Sequence, residues 1–195
     1  MRTEIKKCSV RACLGRKASH TELRRYKGNQ MRESEQSHYK TYGKNRSLRL
    51  KGFDYSTPGV YFLTLCSWKG KNVFYDPKLA KEIVNCLEDC SRQFGYKVYS
   101  YCLMPNHLHL LTSVSEGARS VSQYVQAFKS LSTRLFWRSF GKGKLWQRGF
   151  YDHIIRKEES LVEITKYILA NPVRKGLSDT TDEYPYLGML DEIML

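Results

Sequence analysis

Residues 97–114 read KVYSYCLMPNHLHLLTSV, two runs of strand length on either side of Pro105-Asn106. Both runs are rich in β-branched, aromatic and other apolar residues, and the Pro-Asn pair breaks them. So short a connection makes Lys97 to Met104 and His107 to Val114 antiparallel neighbours in one sheet. Side chains alternate along a strand, so His107 and His109 project from one face with Cα atoms roughly 6.6 Å apart, while Leu108 anchors the other face in the core. Two imidazoles so placed fit a single metal ion. The same pattern also fits two exposed strand histidines that hold nothing.

Upstream, Pro58-Gly59 is a turn and VYFLTLC (60–66) reads as a strand. Asp76 caps a helix that starts at Pro77, carries Leu79, Ile83, Leu87, Cys90 and Phe94 on one stripe, and closes at Gly95. Downstream, Ser120 opens a second helix with Val121, Tyr124, Val125, Phe128, Leu131 and Leu135 on one face, running to about Phe140. WQRGFYDHIIR (146–156) reads as a fourth strand with a break at Gly149. A last helix runs from Ser160 to Ala170 with Leu161, Ile164 and Ile168 inward, stopped by Asn171-Pro172. The order strand, helix, strand, strand, helix, strand, helix predicts an α+β domain of the ferredoxin-like, split β-α-β type. Its expected form is a four-stranded antiparallel sheet with helices covering one face.

The 195-residue chain carries 33 Lys+Arg against 19 Asp+Glu, a formal net charge of +14. Residues 1–51 hold +11 of this, residues 52–114 only +1, residues 115–175 +7, and residues 176–195 −5. Two basic regions flanking a neutral, β-rich centre favour a phosphate backbone as partner over a neutral metabolite. A solvated tail plus ordinary surface lysines gives the same count. Residues 1–45 lack apolar periodicity and are expected to form a basic, poorly ordered extension, and Met31 makes residues 1–30 a candidate upstream addition to the reading frame. No apolar run of about 18–20 residues and no apolar signal core occur, so the expected setting is the cytoplasm, without a membrane partner. The cysteines Cys8, Cys13, Cys66, Cys86, Cys90 and Cys102 show neither a CxxC pair nor zinc-finger spacing and read as core thiols.

A second half of a site lies about 60 residues beyond the histidines. Tyr167 and Asn171, four apart at the end of the last helix, are expected to share a face pointing away from the Leu161, Ile164 and Ile168 stripe. A phenol near a metal serves as a nucleophile, and an amide oxygen one turn on completes a coordination sphere. Tyr167 equally fits a core or surface role among 14 tyrosines, and Asn171 fits a residue that ends a helix. The GKGK stretch at 141–144 lacks Walker spacing and reads as a basic loop. Arg119, Lys129, Arg134, Arg138, Lys142, Lys144, Arg148 and Arg156 are candidates for backbone contact, interleaved with Trp137, Trp146 and Phe150 as candidate stacking surfaces. Trp146 and Phe150 also fit half-buried strand positions, and His153 receives no role.

Four blocks together carry a resemblance: RSLRLKGFDYSTPGVYFLTLCSW (46–68), MPNHLHLL (104–111), LWQRGFYDHIIR (145–156) and YILANPVRKGL (167–177). In this order they resemble the REP-associated tyrosine transposases, a branch of the single-tyrosine HUH transposases that includes the insertion-sequence-200-like enzymes. The resemblance covers roughly residues 46–187 and leaves 188–195 as a C-terminal tail. It implies the ferredoxin-like HUH fold already reached from periodicity. It implies a divalent ion, Mg2+ or Mn2+, on His107 and His109, with Tyr167 as nucleophile and Asn171 as a third ligand where the insertion-sequence enzymes typically carry Gln. The implied activity is nicking and strand transfer of single-stranded DNA at or near imperfect palindromic hairpins, through a 5′-phosphotyrosine bond and a free 3′-hydroxyl, by a monomer or a homodimer. Two alternatives stay open: a non-catalytic module of the same fold that binds hairpins or other nucleic acid, and a metal-dependent hydrolase that uses water in place of tyrosine.

Overall fold

Along β1 (Gly59–Cys66), Tyr61, Leu63 and Leu65 are buried and the residues between them half-buried, the period-two pattern of a strand covered on both faces. The computed structural model describes residues 54–156 and 160–193; the extension expected over residues 1–45 and the domain start at 46 lie outside the described residues. β2 (Lys97–Met104) and β3 (His107–Val114) form the hairpin, closed by Pro105-Asn106 alone. β1 pairs antiparallel with the other edge of β3, and β4 (Tyr151–Ile154) with β1. The strand order β4-β1-β3-β2-β5 contains the ferredoxin-like arrangement, extended at one edge by the two-residue strand β5 (Leu187–Gly188). β3, which carries both histidines, is the central strand.

Local signals set the first two helices. α1 (Pro77–Phe94) begins with Asp76 accepting the Leu79 N–H at 2.9 Å and ends on Gly95 at φ 70°, a left-handed conformation that suits glycine. α2 (Val121–Phe140) begins with a reciprocal capping box between Ser120 and Gln123. Both pack on one face of the sheet, where Leu79, Ile83, Leu87, Val125 and Phe128 meet Leu63, Leu65, Leu103 and Leu108. Burying each such side chain contributes about 1.5–3 kcal/mol. Cys86 and Cys90 belong to this core as free thiols, as expected.

Four details differ from the sequence reading. The third helix, α3 (Leu161–Leu169), lies on the opposite face, where Ile164, Tyr167 and Ile168 cluster with Cys102, Met104 and Leu111. The sheet is therefore covered by α1 and α2 on one side and α3 on the other, because Val60 and Phe62 of β1 and Cys102 and Met104 of β2 also offer an apolar face. The fourth strand is shorter than WQRGFYDHIIR: Gly149 turns at φ 77°, and Trp146 makes only an isolated bridge to Ser67. Asn171-Pro172 does not end the helical path, since a four-residue helix, α4 (Asn171–Arg174), follows α3 with Pro172 in its first turn, where no intrahelical N–H is needed. Finally, residues 188–191 are not a tail. Leu190 and Asp191 donate their N–H groups to Val98 O at 3.2 and 3.0 Å, and the Asp191 carboxylate accepts the Val98 N–H at 2.7 Å. These bonds satisfy the outer edge of β2, which a four-stranded sheet would leave open. Among the described residues no helix is long and apolar enough to cross a membrane.

Candidate active site

The β3 register brings His107 and His109 together on the α3 side of the sheet, with Nε2 of one 3.1 Å from Nε2 of the other. His109 is buried and His107 half-buried. Behind His107, Nδ1 donates to Asn106 Oδ1 at 2.6 Å, and the Asn106 amide is turned that way because its Nδ2 donates to Gly70 O at 3.5 Å. That proton on Nδ1 leaves Nε2 as a lone pair. Behind His109, Nδ1 lies 3.0 Å from Thr64 Oγ1, a hydroxyl that can accept from Nδ1 and so free the second Nε2 lone pair as well. The Asn106 turn is strapped down, its carbonyl accepting the Ser67 N–H at 2.8 Å while Pro105 O accepts the Phe74 N–H at 3.0 Å. Burial, with Lys175 nearby, pushes the His107 pKa down to about 4. Burial, then the charges of His107, Arg174 and Lys175, holds His109 well below its ordinary value. Both imidazoles are neutral at pH 7, the form that ligates metal.

This donor set fits a divalent ion. Two donors about 2.1 Å from one six-coordinate ion and at right angles to each other stand about 3.0 Å apart, close to the 3.1 Å between the two Nε2 atoms. Among the described residues no group of three or more His, Cys, Asp and Glu gathers here, so further ligands must come from amide oxygen, water or substrate.

Tyr167 reaches the same place from α3. Its ring centroid lies 6.5 Å from that of His109 and 6.3 Å from Phe62, both edge-on. The expectation that Tyr167 and Asn171 point away from the Ile164 and Ile168 stripe is corrected: residues 164, 167, 168 and 171 follow the i, i+3, i+4, i+7 spacing of a single helix face, and all four are buried. Asn171 Nδ2 donates to Tyr167 O at 3.0 Å and Ile168 O at 3.3 Å, so the side chain ties α4 to the end of α3. One turn on, the Arg174 guanidinium sits over the Tyr167 ring, Cζ 4.6 Å from the centroid.

The candidate cations divide by location. Arg134, Lys144 and Arg148 line a groove of about 630 Å3 together with Trp68, Trp137 and Trp146, and no carboxylate lines it. Lys144 lies over Trp68, 4.4 Å from its centroid, and Trp137 is half exposed. The groove runs along α2, and Ser67, whose N–H donates to the Asn106 carbonyl, directly precedes Trp68 of its lining. Lys129 also lines the groove, but its Nζ donates to Gln147 O at 2.9 Å and to Gly149 O, pinning the segment before β4 onto α2. Trp146 and Phe150 are core residues, Trp146 between Phe74 and Phe128 with Nε1 donating to Ser132 Oγ, and Phe150 edge-on to Tyr55. Arg119 lies beyond the Val114 end of β3, away from His107, with its guanidinium over Phe94. Arg138, Lys142 and Arg156 are exposed outside the groove lining.

Residues 59–171 match the family described as Transposase IS200 like. The chain belongs to the IS200-like transposase family. This transposase is 25% identical over 143 residues to a Haemophilus influenzae protein provisionally named a REP-associated tyrosine transposase, across 68% of this chain and 81% of that one. It is 24% identical over 95 residues to the REP-associated tyrosine transposase of Escherichia coli K12, across 49% and 55%. Among solved structures, a REP-associated tyrosine transposase bound to a REP hairpin shares the fold with a TM-score of 0.58 at 20% identity, covering 75% of this chain and 82% of that one.

Several residues of the transposase site escape sequence reading. Asn106 passes for a turn residue until its side chain is seen on His107. Thr64 is one of two strand threonines, with Thr112, until the register sets it opposite His109. Trp68 precedes the groove loop by more than 70 positions, and Arg174 and Lys175 lie in the quoted YILANPVRKGL block without any spacing that marks them.

Proposed function

We propose that this transposase nicks single-stranded DNA beside a palindromic hairpin by attack of Tyr167 on a phosphodiester, with Mg2+ or Mn2+ held at His107 and His109. The convergence of the two Nε2 atoms at 3.1 Å, with the Tyr167 ring 6.5 Å from His109, carries this reading. A solved relative of the same fold is bound to a REP hairpin, which supports hairpin DNA as the substrate. An ion bound there would polarise a non-bridging oxygen and hold the phosphate in line. Asn171 is the proposed third ligand: its Nδ2 is committed to two carbonyls, so Oδ1 is the atom left for a cation. The groove of Arg134, Lys144, Arg148 and Trp137 takes the flanking strand.

In the reaction the Tyr167 Oη–P bond forms and the P–O3′ bond breaks. The phenol proton is released and the departing 3′ oxygen is protonated, leaving a 5′-phosphotyrosine and a free 3′-hydroxyl. Because the phosphoryl group is retained, another 3′-hydroxyl can displace the tyrosine and rejoin strands without ATP. A labelled hairpin oligonucleotide with a single-stranded flank becomes covalently attached to the protein in Mn2+ or Mg2+, and Tyr167→Phe abolishes the adduct while retaining binding. An adduct that persists in Tyr167→Phe would move the nucleophile elsewhere, with Tyr151 of β4, opposite Thr64 in the register, next in line. Binding with no adduct under any metal would instead support a non-catalytic module.

A further inference from the structure

We propose that Arg174 and Lys175 form a two-cation clamp for the phosphodiester that Tyr167 attacks, Arg174 also holding the tyrosine ring in place. The proposal rests on the reading of Tyr167 as nucleophile and assigns the residues that grip its substrate.

Main-chain hydrogen bonds set where both residues leave the end of α4. The Lys175 N–H donates to Asn171 O at 3.1 Å and Pro172 O at 3.2 Å, and Gly176, at φ 66°, closes the turn with its N–H on Val173 O at 3.1 Å. Arg174 is exposed, Tyr167 is buried, and the guanidinium lies 4.6 Å from the ring centroid, so it caps the solvent side of the ring. A guanidinium used only for structure would meet a carboxylate or carbonyl. Here the guanidinium lies over an aromatic face, and among the described residues the ion pairs are Arg92 with Asp89 and Lys166 with Glu163, neither involving Arg174 or Lys175. A stacked guanidinium keeps its in-plane N–H fork open for two oxygens of one phosphate, and a lysine adds a mobile point charge. The field of these cations reaches the metal-binding pair: Lys175 acts on His107, and both Arg174 and Lys175 act on His109. Positive charge thus gathers beside neutral imidazoles, with no ion-paired carboxylate on Arg174 or Lys175 among the described residues, and a divalent ion there would add more. The anion that satisfies the arrangement is the phosphodiester itself.

The test uses the full chain with two hairpin oligonucleotides that differ only at the scissile position, one a phosphodiester and one an uncharged methylphosphonate. Affinity is measured in EDTA, and adduct formation in Mn2+. In EDTA, Arg174→Gln and Lys175→Gln each weaken phosphodiester binding roughly tenfold, as loss of a charge-assisted contact predicts, and leave methylphosphonate binding at the wild-type level. In Mn2+, Arg174→Gln slows adduct formation by about 100-fold and moves the ascending limb of its pH profile, where the phenol loses its proton, to higher pH, and Arg174→Lys recovers part of both. Equal losses on the two oligonucleotides would overturn the clamp, as would wild-type adduct rates in both Gln variants. If the wild type forms no adduct at all, the tyrosine reading falls, and the EDTA comparison alone still decides whether these residues grip the scissile phosphate.

Discussion

Thr64 and Asn106 stand behind the two histidines as hydrogen-bond partners of their Nδ1 atoms, 3.0 and 2.6 Å away. Partners of this kind fix ring orientation and tautomer, and losing one typically costs 10–100-fold in metal affinity. Thr64→Val and Asn106→Ala are therefore expected to weaken Mn2+ binding by about that factor while the circular dichroism spectrum is unchanged, readable by calorimetric titration. The same burial makes the metal-free protein sensitive to acid. Unfolded, both histidines take up protons near pH 6.5; folded, His107 does so only near pH 4 and His109 also below its ordinary value. The unfolded state binds more protons in that window, so in EDTA the urea midpoint falls as pH drops from about 6.5 towards 4 and is flat above about 7. His107→Gln shows a shallower fall. Spacing alone puts His107 and His109 side by side, and resemblance adds Tyr167 and Asn171. Thr64 stays hidden because it reaches His109 across 45 residues, through a strand register that neither strand's own pattern reveals.

Helix ends were the most legible elements, because caps are local: Asp76, Gly95 and Ser120 mark the limits of α1 and α2 in residues adjoining them. β5 was not legible, since two residues have no periodicity and pair only because β2 has a free edge. The face of α3 was misread by taking a narrow stripe, when the helix buries 164, 167, 168 and, through α4, 171 against the sheet. Lys129 shows the cost of reading charge without packing. On α2 it sits five residues before Arg134 and both line the groove, yet the Lys129 ammonium donates to the carbonyls of Gln147 and Gly149, while Arg134 is exposed. Lys129→Ala is expected to lower folding stability by about 1–3 kcal/mol, from carbonyls left unpaired. Arg134→Ala is expected to change stability by no more than about 0.5 kcal/mol and to reduce the salt slope of single-strand binding by about 0.7. Urea denaturation and a salt series of binding isotherms separate the two.

At the scale of the whole chain, net charge and site are largely separate. Residues 1–51 hold +11 of the +14, whereas the groove and clamp cations fall within the +7 of residues 115–175. Removal of residues 1–45 is expected to leave adduct formation intact and to weaken salt-sensitive binding to unrelated DNA, measured as a shallower slope of log affinity against log salt. The sheet order has one more consequence. β3 is paired on both edges, while α3 is a nine-residue helix packed on one side of the sheet. Opening free energies within a domain are lowest for peripheral elements and highest for central strands. Local unfolding therefore withdraws Tyr167 first and dismantles the histidine pair last. A molecule caught in such an excursion would keep the half proposed to hold the ion and lose the half proposed to cut, so the fold would fail towards harmless occupancy before it failed towards release.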